Sequence, residues 1–592
     1  MFLRTVKAQG GKGVQHEYVR LVEAYREHGK NKQRVVCNLG RKDLLAAHLD
    51  DLIRLLRGER SAAAALRVGE VQATGAWDWG PVLVARTLWR ELGLDASLAS
   101  RGGRGRPAGT ALAERALVLV ANRLCAPTSE HGLARWLETD FVCDGQGRRW
   151  LPAWRPEAER RASRRPRVRV QDRQLRQWYR TLDQLHARQA EIERALYLRL
   201  RDLFSLQVDL VFYDLTSTYF EGAGPPALGA HGHSRDGKPR DPQVLVGVVM
   251  VDDWPIAHHV FRGNLRDATT VQPVLQDLER RFGVRRLVLV GDRGMVTGDN
   301  LSLLQGRGHG YLVGLNRRRN AAVARYLARA TGPWTDCPGR AGAPGPPAAP
   351  TTSVQEVPAD EPGVRVFVVK SDERLAYERT EREKAMARVR AGLEALQRRV
   401  AQGKLKAPEK VGAAAARILG RHHGHRYYGW AYTDGAFRFF DHPAQLPREQ
   451  ALEGTYVLQT TEATLTPVQA VTLYKRLSEV ERAFCSLKDV IELRPIYHQT
   501  DPRVAAHIFV AALAFLLHRA VEKRLKAAGL DLSATEALQA LRTVRVVEIH
   551  LGDGRTKRSV TRGTARAARI LAALGITDLD PPTPPKEASR TM

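Results

Sequence analysis

The chain has 592 residues, with 93 Lys plus Arg against 64 Asp plus Glu and a formal net charge of +29. That length calls for several domains, and the charge calls for a polyanionic partner, nucleic acid being the usual one. The five cysteines (Cys37, Cys125, Cys143, Cys337, Cys485) lack C-x-x-C or comparable spacing, which argues against a disulfide framework or zinc site and fits a reducing interior.

The N-terminal Met1-Phe-Leu-Arg-Thr-Val-Lys7 lacks the apolar run of a signal peptide. Glu17 to Glu27 and Lys32 to Leu39 read as two strands of a hairpin around His28-Gly29-Lys30-Asn31, and Asp43 to Arg57 as an amphipathic helix. From Trp79 to about Leu203 the pattern is helical, broken at Arg101 to Pro107 and at Asp144 to Gly147. Arg148 to Arg180 interleaves arginines with Trp150, Trp154, Trp178 and Tyr179. Such a mixture suits a phosphate backbone and unstacked bases as well as it suits a solvated helix face.

A β-rich run, Val208 to Tyr219, carries Asp214 in its second half. After a Gly/Pro/His/Arg loop from Gly222 to Pro242, strands at Val244 to Val251 and Ile256 to Phe261 flank Asp252-Asp253, which read as turn residues. A helix capped by Asp267 should span Ala268 to Phe282, and the apolar Arg286 to Gly291 delivers Asp292 to a strand's carboxyl end, where α/β sheets place ligands. Another helix should start near Thr297, and Tyr311 to Leu315 is a fifth strand.

Asp336 to Gly363, rich in Pro, Gly and Ala, reads as a linker. Val364 to Lys370 is a strand, Glu373 to Val400 a charged helix, and Tyr427 to Phe440 and Thr455 to Gln459 strands again, so an inserted α+β domain is expected here. His422-His423-Gly424-His425 is simplest as a basic loop. Thr466-Pro467 starts a helix expected to run to about Val490, with Leu473, Leu477, Val480, Phe484 and Leu487 as its buried stripe. Tyr474, Glu481 and Lys488 recur seven residues apart and so share one face beside that stripe. Val504 to Leu517, the most apolar stretch, is too short for a membrane span and reads as part of a buried helix from Arg503 to Ala527. Leu532 to Leu541, Val544 to His550, Thr556 to Val560 and Arg562 to Leu574 precede a Pro-rich tail.

Asp214 on one strand, Asp292 ending a second and Glu481 on a helix are the parts of a ribonuclease H-like core, an α/β fold, here with an inserted α+β domain and a mainly helical N-terminal region. Carboxylate oxygens suit hard cations such as Mg²⁺, and two such ions can serve both oxygens of a phosphodiester displacement without a side-chain nucleophile. The expected division is 1–60 (hairpin and helix), 61–205 (helical, basic, DNA-binding), 206–316 (core, first part), 317–462 (insertion with linker), 463–530 (core, second part) and 531–592 (C-terminal region and tail).

Tyr213 to Gly222, Gly291-Asp-Arg-Gly294 and the Tyr474/Glu481/Lys488 helix resemble the DDE transposases of bacterial insertion sequences. The closest group is the insertion-sequence-four superfamily, whose third carboxylate sits in a Tyr-x2-Arg-x3-Glu-x6-Lys signature. Tyr18 to Tyr25 and Glu492 to His498 are similar to its sixteen-thirty-four branch. One departure is plain: the expected Arg position is Leu477, with Arg476 adjacent. The resemblance implies Asp214, Asp292 and Glu481 as catalytic ligands of two Mg²⁺ ions, with Mn²⁺ an acceptable substitute. It implies Tyr474, Arg476 and Lys488 as DNA contacts. Double-stranded DNA, as terminal inverted repeats and target, would be the partner of a homodimer or higher multimer in the bacterial cytoplasm, with no membrane involved. Alternatives are another ribonuclease H-like nuclease of the resolvase type and a non-cutting DNA-binding derivative.

Overall fold

A computed structural model describes residues 2–9, 15–27, 29–45, 72–98, 110–150, 170–204, 210–295, 297–318, 320–338, 352–550 and 556–582. These fall into two compact units, Met1–Ala76 with Val546–Thr561, and Trp77–Arg545 with Arg562–Met592. In the first, β1 (Phe2–Gln9), β2 (Gln15–Glu27) and β3 (Lys30–Arg41) form an antiparallel sheet in the order β1-β2-β3. The expected hairpin is β2–β3, and β1 adds a strand the sequence reading did not assign. Of the helix expected over Asp43 to Arg57, only Lys42–Leu45 is described; the rest lies outside the described residues. β4 (Gln72–Asp78) belongs to a small sheet completed near the chain's end.

Helices Gly80–Glu91, Leu94–Leu98, Thr110–Cys125, Leu133–Thr139 and Val170–Phe204 follow, as the periodicity predicts. The expected break over Arg101 to Pro107, and Trp154 with its neighbouring arginines, lie outside the described residues. Trp178 is buried against Trp150, and Tyr179 packs between the Arg503 guanidinium and the His498 ring. These two aromatics serve tertiary packing here instead of offering open faces to bases.

A mixed sheet of nine strands, in the order β10-β11-β12-β15-β9-β8-β5-β6-β7, organises the second unit. β5 (Leu210–Tyr219), β6 (Gln243–Val251) and β7 (Trp254–Arg262) are an antiparallel meander. β8 (Val288–Gly291) and β9 (Gly310–Gly314) run parallel to β5. All nine residues of β6 are buried, which explains its unbroken apolar sequence: a strand covered on both faces has no solvent side to mark with polar residues. Asp252 and Asp253 turn β6 into β7 with φ of 46° and 66°, the left-handed pair that a two-residue hairpin demands. A Cβ on Gly247 of β6 would meet the Tyr213 ring at 2.8 Å, so the glycine lets that ring lie against the sheet. Tyr213 then donates its hydroxyl hydrogen bond to Thr270 Oγ1 at 2.9 Å, fixing the residue before Asp214.

Asp267 does not cap a helix: it opens a short 3₁₀ turn before the helix Val271–Phe282 and pairs with Arg235 at 2.8 Å. Thr297 does cap the next helix, Gly298–Gly306, accepting from the Asn300 N–H. The expected linker is also corrected. It contains β10 (Thr335–Asp336, at its start) and β11 (Thr352–Val357), the latter held by antiparallel pairing to β12 (Arg365–Ser371); residues 339–351 are outside the described set. The helices Asp372–Ala401 and Pro408–Gly420 and the hairpin β13 (Tyr428–Thr433)–β14 (Ala436–Asp441) share a core that includes Leu393, Leu396, Val411 and Phe437. β12 and β15 (Thr455–Thr460) instead extend the main sheet outward from β9.

The helix expected over Pro467 to Val490 is two helices, Pro467–Lys475 and Leu477–Cys485, joined at Arg476 and finished by a π-turn at Ser486–Val490. Leu477, Val480, Phe484 and Leu487 are buried as expected, while Leu473 is half-buried. The helix Asp501–Ala527 is apolar and long enough to cross a membrane by composition, yet 89% of its most apolar window is buried inside the protein. It serves as the core's central rod, against the helices Thr110–Cys125 and Val170–Phe204. The helix Ala534–Leu541 precedes β16 (Arg545–His550) and β17 (Thr556–Val560), which complete the small sheet with β4; the helix Ala565–Ala573 follows.

Candidate active site

Tyr213 of β5 pairs in parallel with Gly291 of β8, and Gly291 pairs with Val313 of β9. The next residue along each strand is therefore Asp214, Asp292 and Gly314, a row at one level across three neighbouring strands. The Leu477–Cys485 helix lies against β5. Arg476, at its start, stands over the Phe212 ring at 5.1 Å, and Phe212 shares its strand face with Asp214. Glu481 follows five residues further along the same helix, and its charge is felt at Asp214.

Burial is the first cause that pushes the Asp214 carboxyl up, to about 7; the charges of Asp292 and Glu481 raise it further, while the Leu215 N–H, 2.7 Å from Oδ1, and Arg235 pull it down. The Glu481 carboxyl is also raised, by the surrounding protein and then by Asp292. Three acids far apart in the sequence therefore feel one another electrostatically. Carboxylate oxygens that raise one another's pKa are the donor type that suits a hard divalent cation.

The three residues expected to meet DNA lie in different settings. Tyr474 is half-buried, stacked on Tyr456 with centroids 6.0 Å apart, and its hydroxyl lies over the bare backbone of Gly314, at the end of the row. Arg476 is drawn to the β6–β7 turn, 3.4 Å from Asp253 and 3.8 Å from Asp252. Lys488 is 9% exposed and donates to Asp236 Oδ1 at 2.7 Å, an oxygen it shares with Arg494. Burial lowers the Lys488 pKa, and Asp236 offsets part of that. The π-turn changes the helix phase just before Lys488, so seven-residue spacing does not carry it to the face of Glu481.

Because no side chain fits between Gly314 and the Tyr474 hydroxyl, Gly314→Ala should displace the ring. The expected cost is about 1–3 kcal/mol of stability, read by chemical denaturation. Gly298→Ala, where nothing stands in the way of a Cβ, should stay within about 0.5 kcal/mol of the parent. Equal effects from both would refute the packing role given to Tyr474.

Among the described residues the group of metal-ligand types whose ligand atoms all lie within 4.8 Å of one another is Glu130, His498 and His507, not the three carboxylates. No spacing rule flags residues from three separate elements. His507 Nδ1 faces Arg123 Nη2 at 3.2 Å and its Nε2 faces the Leu493 carbonyl at 3.2 Å, so both ring nitrogens are engaged. A buried guanidinium beside the ring also repels a cation. Burial and Arg123 push the His507 pKa down to about 3, and Glu130 is held at about 2 because His498, His507 and Arg123 outweigh its burial. The group is a buried charge network tying the Thr110–Cys125 helix to the Asp501–Ala527 helix, and its neutral histidine already has partners.

The sequence reading also passed over Arg235 and Asp236, treating their segment as loop; only the structure returns them to Asp214 and Lys488.

A family model described as the transposase DDE domain matches residues 217–517, and one described as the IS1634 family transposase N-terminal domain matches residues 3–65. No curated protein matches the chain.

Proposed function

Because the chain belongs to the DDE transposases and carries an N-terminal domain of the IS1634 family, we propose that Asp214, Asp292 and Glu481 drive metal-dependent cleavage at the ends of an insertion sequence and the joining of those ends to target DNA. DNA transposition, and with it DNA binding, is the family's function. The observation that carries the finer reading is the parallel register that sets Asp214 beside Asp292 within the field of Glu481. The order β7-β6-β5-β8-β9, with β5, β8 and β9 parallel and β6 reversed, supports a ribonuclease H-like core.

Domains of this family generally use divalent metals, and an all-carboxylate donor set favours Mg²⁺, with Mn²⁺ as a substitute. Two bound ions would supply activation of the attacking oxygen and stabilisation of the leaving one. The chain's residues do the rest. Asp214, once deprotonated, would be one ligand of the metal, and Asp292 and Glu481 would complete the set from the next strand and the flanking helix. The Tyr474 hydroxyl, held at the end of the row, can donate to a phosphate oxygen. Arg476 and Lys488 anchor the Glu481 helix to the β6–β7 turn and to the loop bearing Asp236, and Lys488 meets DNA only if Asp236 yields it. Terminal repeats and target DNA are the substrates, acted on inside the cell by a homodimer or larger multimer.

Incubation with a duplex containing the inverted repeats that flank the gene, a supercoiled target and Mg²⁺ tests this. Expected products are 3′-hydroxyl ends at the repeat tips and repeats joined to target. Binding without any cutting would instead favour a non-cutting derivative.

A further inference from the structure

Beside the carboxylate row lies a cleft of about 360 Å³ whose lining includes His233, Arg235, Asn264, Arg266, Asp267 and Gly294. Its walls come from the loop after β5, the chain leaving β7 and the turn after β8. β6 is antiparallel to both β5 and β7, and β8 is parallel to β5. All three walls therefore leave the sheet at the edge toward which β5 and β8 carry Asp214 and Asp292, and Gly294 follows Asp292 by two residues. At ~30 Å³ per water the cleft holds on the order of a dozen solvent molecules.

The cleft is a built site. Arg235 is held at its backbone, whose N–H donates to Ser217 Oγ at 2.9 Å, and at its guanidinium, which donates to Asp267 Oδ2 at 2.8 Å. Its neighbour Asp236, with a side chain only 4% exposed, is clamped by Lys488 and Arg494. The loop thus reaches the cleft with its backbone already fixed, and a ligand would not have to order it. Two arginines and a histidine face one carboxylate, so the lining keeps an excess positive charge even with His233 neutral. Asp267 orients Arg235 through one N–H group, and the guanidinium fork has further donors for an anion. The Asn264 amide adds a neutral donor. Leu245 and Leu265 add apolar wall, but the groups able to fix a ligand's position are the two guanidinium groups and the Asn264 amide, and an oxyanion is what they recognise.

We propose that this cleft is a subsite for the DNA phosphodiester adjacent to the one being cut, with Arg235 and Arg266 as its cationic walls. The inference rests on the cleavage reading above, and extends it to residues outside the three carboxylates and the Tyr474/Arg476/Lys488 set. The strand that passes Asp214 and Asp292 continues along the same edge of the sheet into the cleft.

A series of terminal-repeat duplexes, each with one uncharged methylphosphonate linkage near the cleavage position, tests it. Binding is measured without divalent metal for the parent chain, Arg266→Gln and Arg235→Gln. At the one linkage that enters the cleft, neutralisation should weaken parent binding roughly tenfold and leave both variants unchanged, since they have already lost that contact. At all other linkages the three proteins should lose affinity alike. Arg266 is exposed, so its variant folds as the parent does. Equal losses in all three proteins at every linkage would overturn the subsite. If the parent also fails to cut the unmodified duplex in Mg²⁺, the cleavage reading falls with it; if it cuts normally, only the subsite falls.

Discussion

Asp292→Asn should lower strand cleavage on the order of a thousandfold, about 4 kcal/mol of transition-state stabilisation, while leaving affinity for element-end DNA within about threefold. Asparagine keeps the shape of the side chain but loses the charge that draws a metal. Asp292 is exposed at the strand end, so the near-isosteric change leaves no cavity. Folding therefore survives and the defect falls on chemistry. Binding is carried by Lys and Arg distributed over the chain, so its salt dependence should not change. Glu481→Gln should behave in the same way. The check is a cleavage time course on end duplex beside a binding isotherm; normal cutting by either variant would remove these residues from the reaction.

Asp214→Asn should do something a purely structural aspartate would not: stabilise the metal-free protein while abolishing its cutting. The folded Asp214 pKa is raised from 3.8 to about 7. A raised carboxyl contributes stability that is full below the unfolded pKa and is lost as pH rises through the folded one. Above pH 7 the folded protein without metal therefore bears a crowded charge that costs about 2–4 kcal/mol after partial screening by solvent. Asparagine removes that cost. In EDTA, the variant's stability advantage in chemical denaturation should be negligible near pH 4, grow to about pH 7 and level off by pH 8. A variant less stable than the parent at pH 8 would show that the carboxylate is satisfied by the protein itself. The same titration governs metal affinity, which should rise with pH and flatten above about 7 as the Asp214 proton is lost.

Much of the core was legible because burial on both faces writes an unmistakable sequence. β5, β6 and β8 are apolar runs in which Asp214 and Asp292 stand out as costly exceptions, and costly exceptions are where function concentrates. The Glu481 helix was legible from its stripe, since Val480, Phe484 and Leu487 are buried. What failed did so where tertiary partners decide. Thr352–Val357 sits in Pro/Gly/Ala-rich surroundings that read as linker, yet pairing with β12 makes it a strand. The helix break at Arg476 and the π-turn at Ser486 leave no mark in local propensity. Lys488 meets Asp236, and Arg476 meets the β6–β7 turn, across more than two hundred residues of sequence. Nor could spacing reveal that Tyr474 needs Gly314 to have no side chain.

The convergence of three acids on divalent ions is tested most directly by counting bound Mn²⁺ by electron paramagnetic resonance on the complex with element-end DNA. The expected result is two ions per active chain at pH 8, with fewer in each of Asp214→Asn, Asp292→Asn and Glu481→Gln. Undiminished Mn²⁺ binding in all three variants would contradict it.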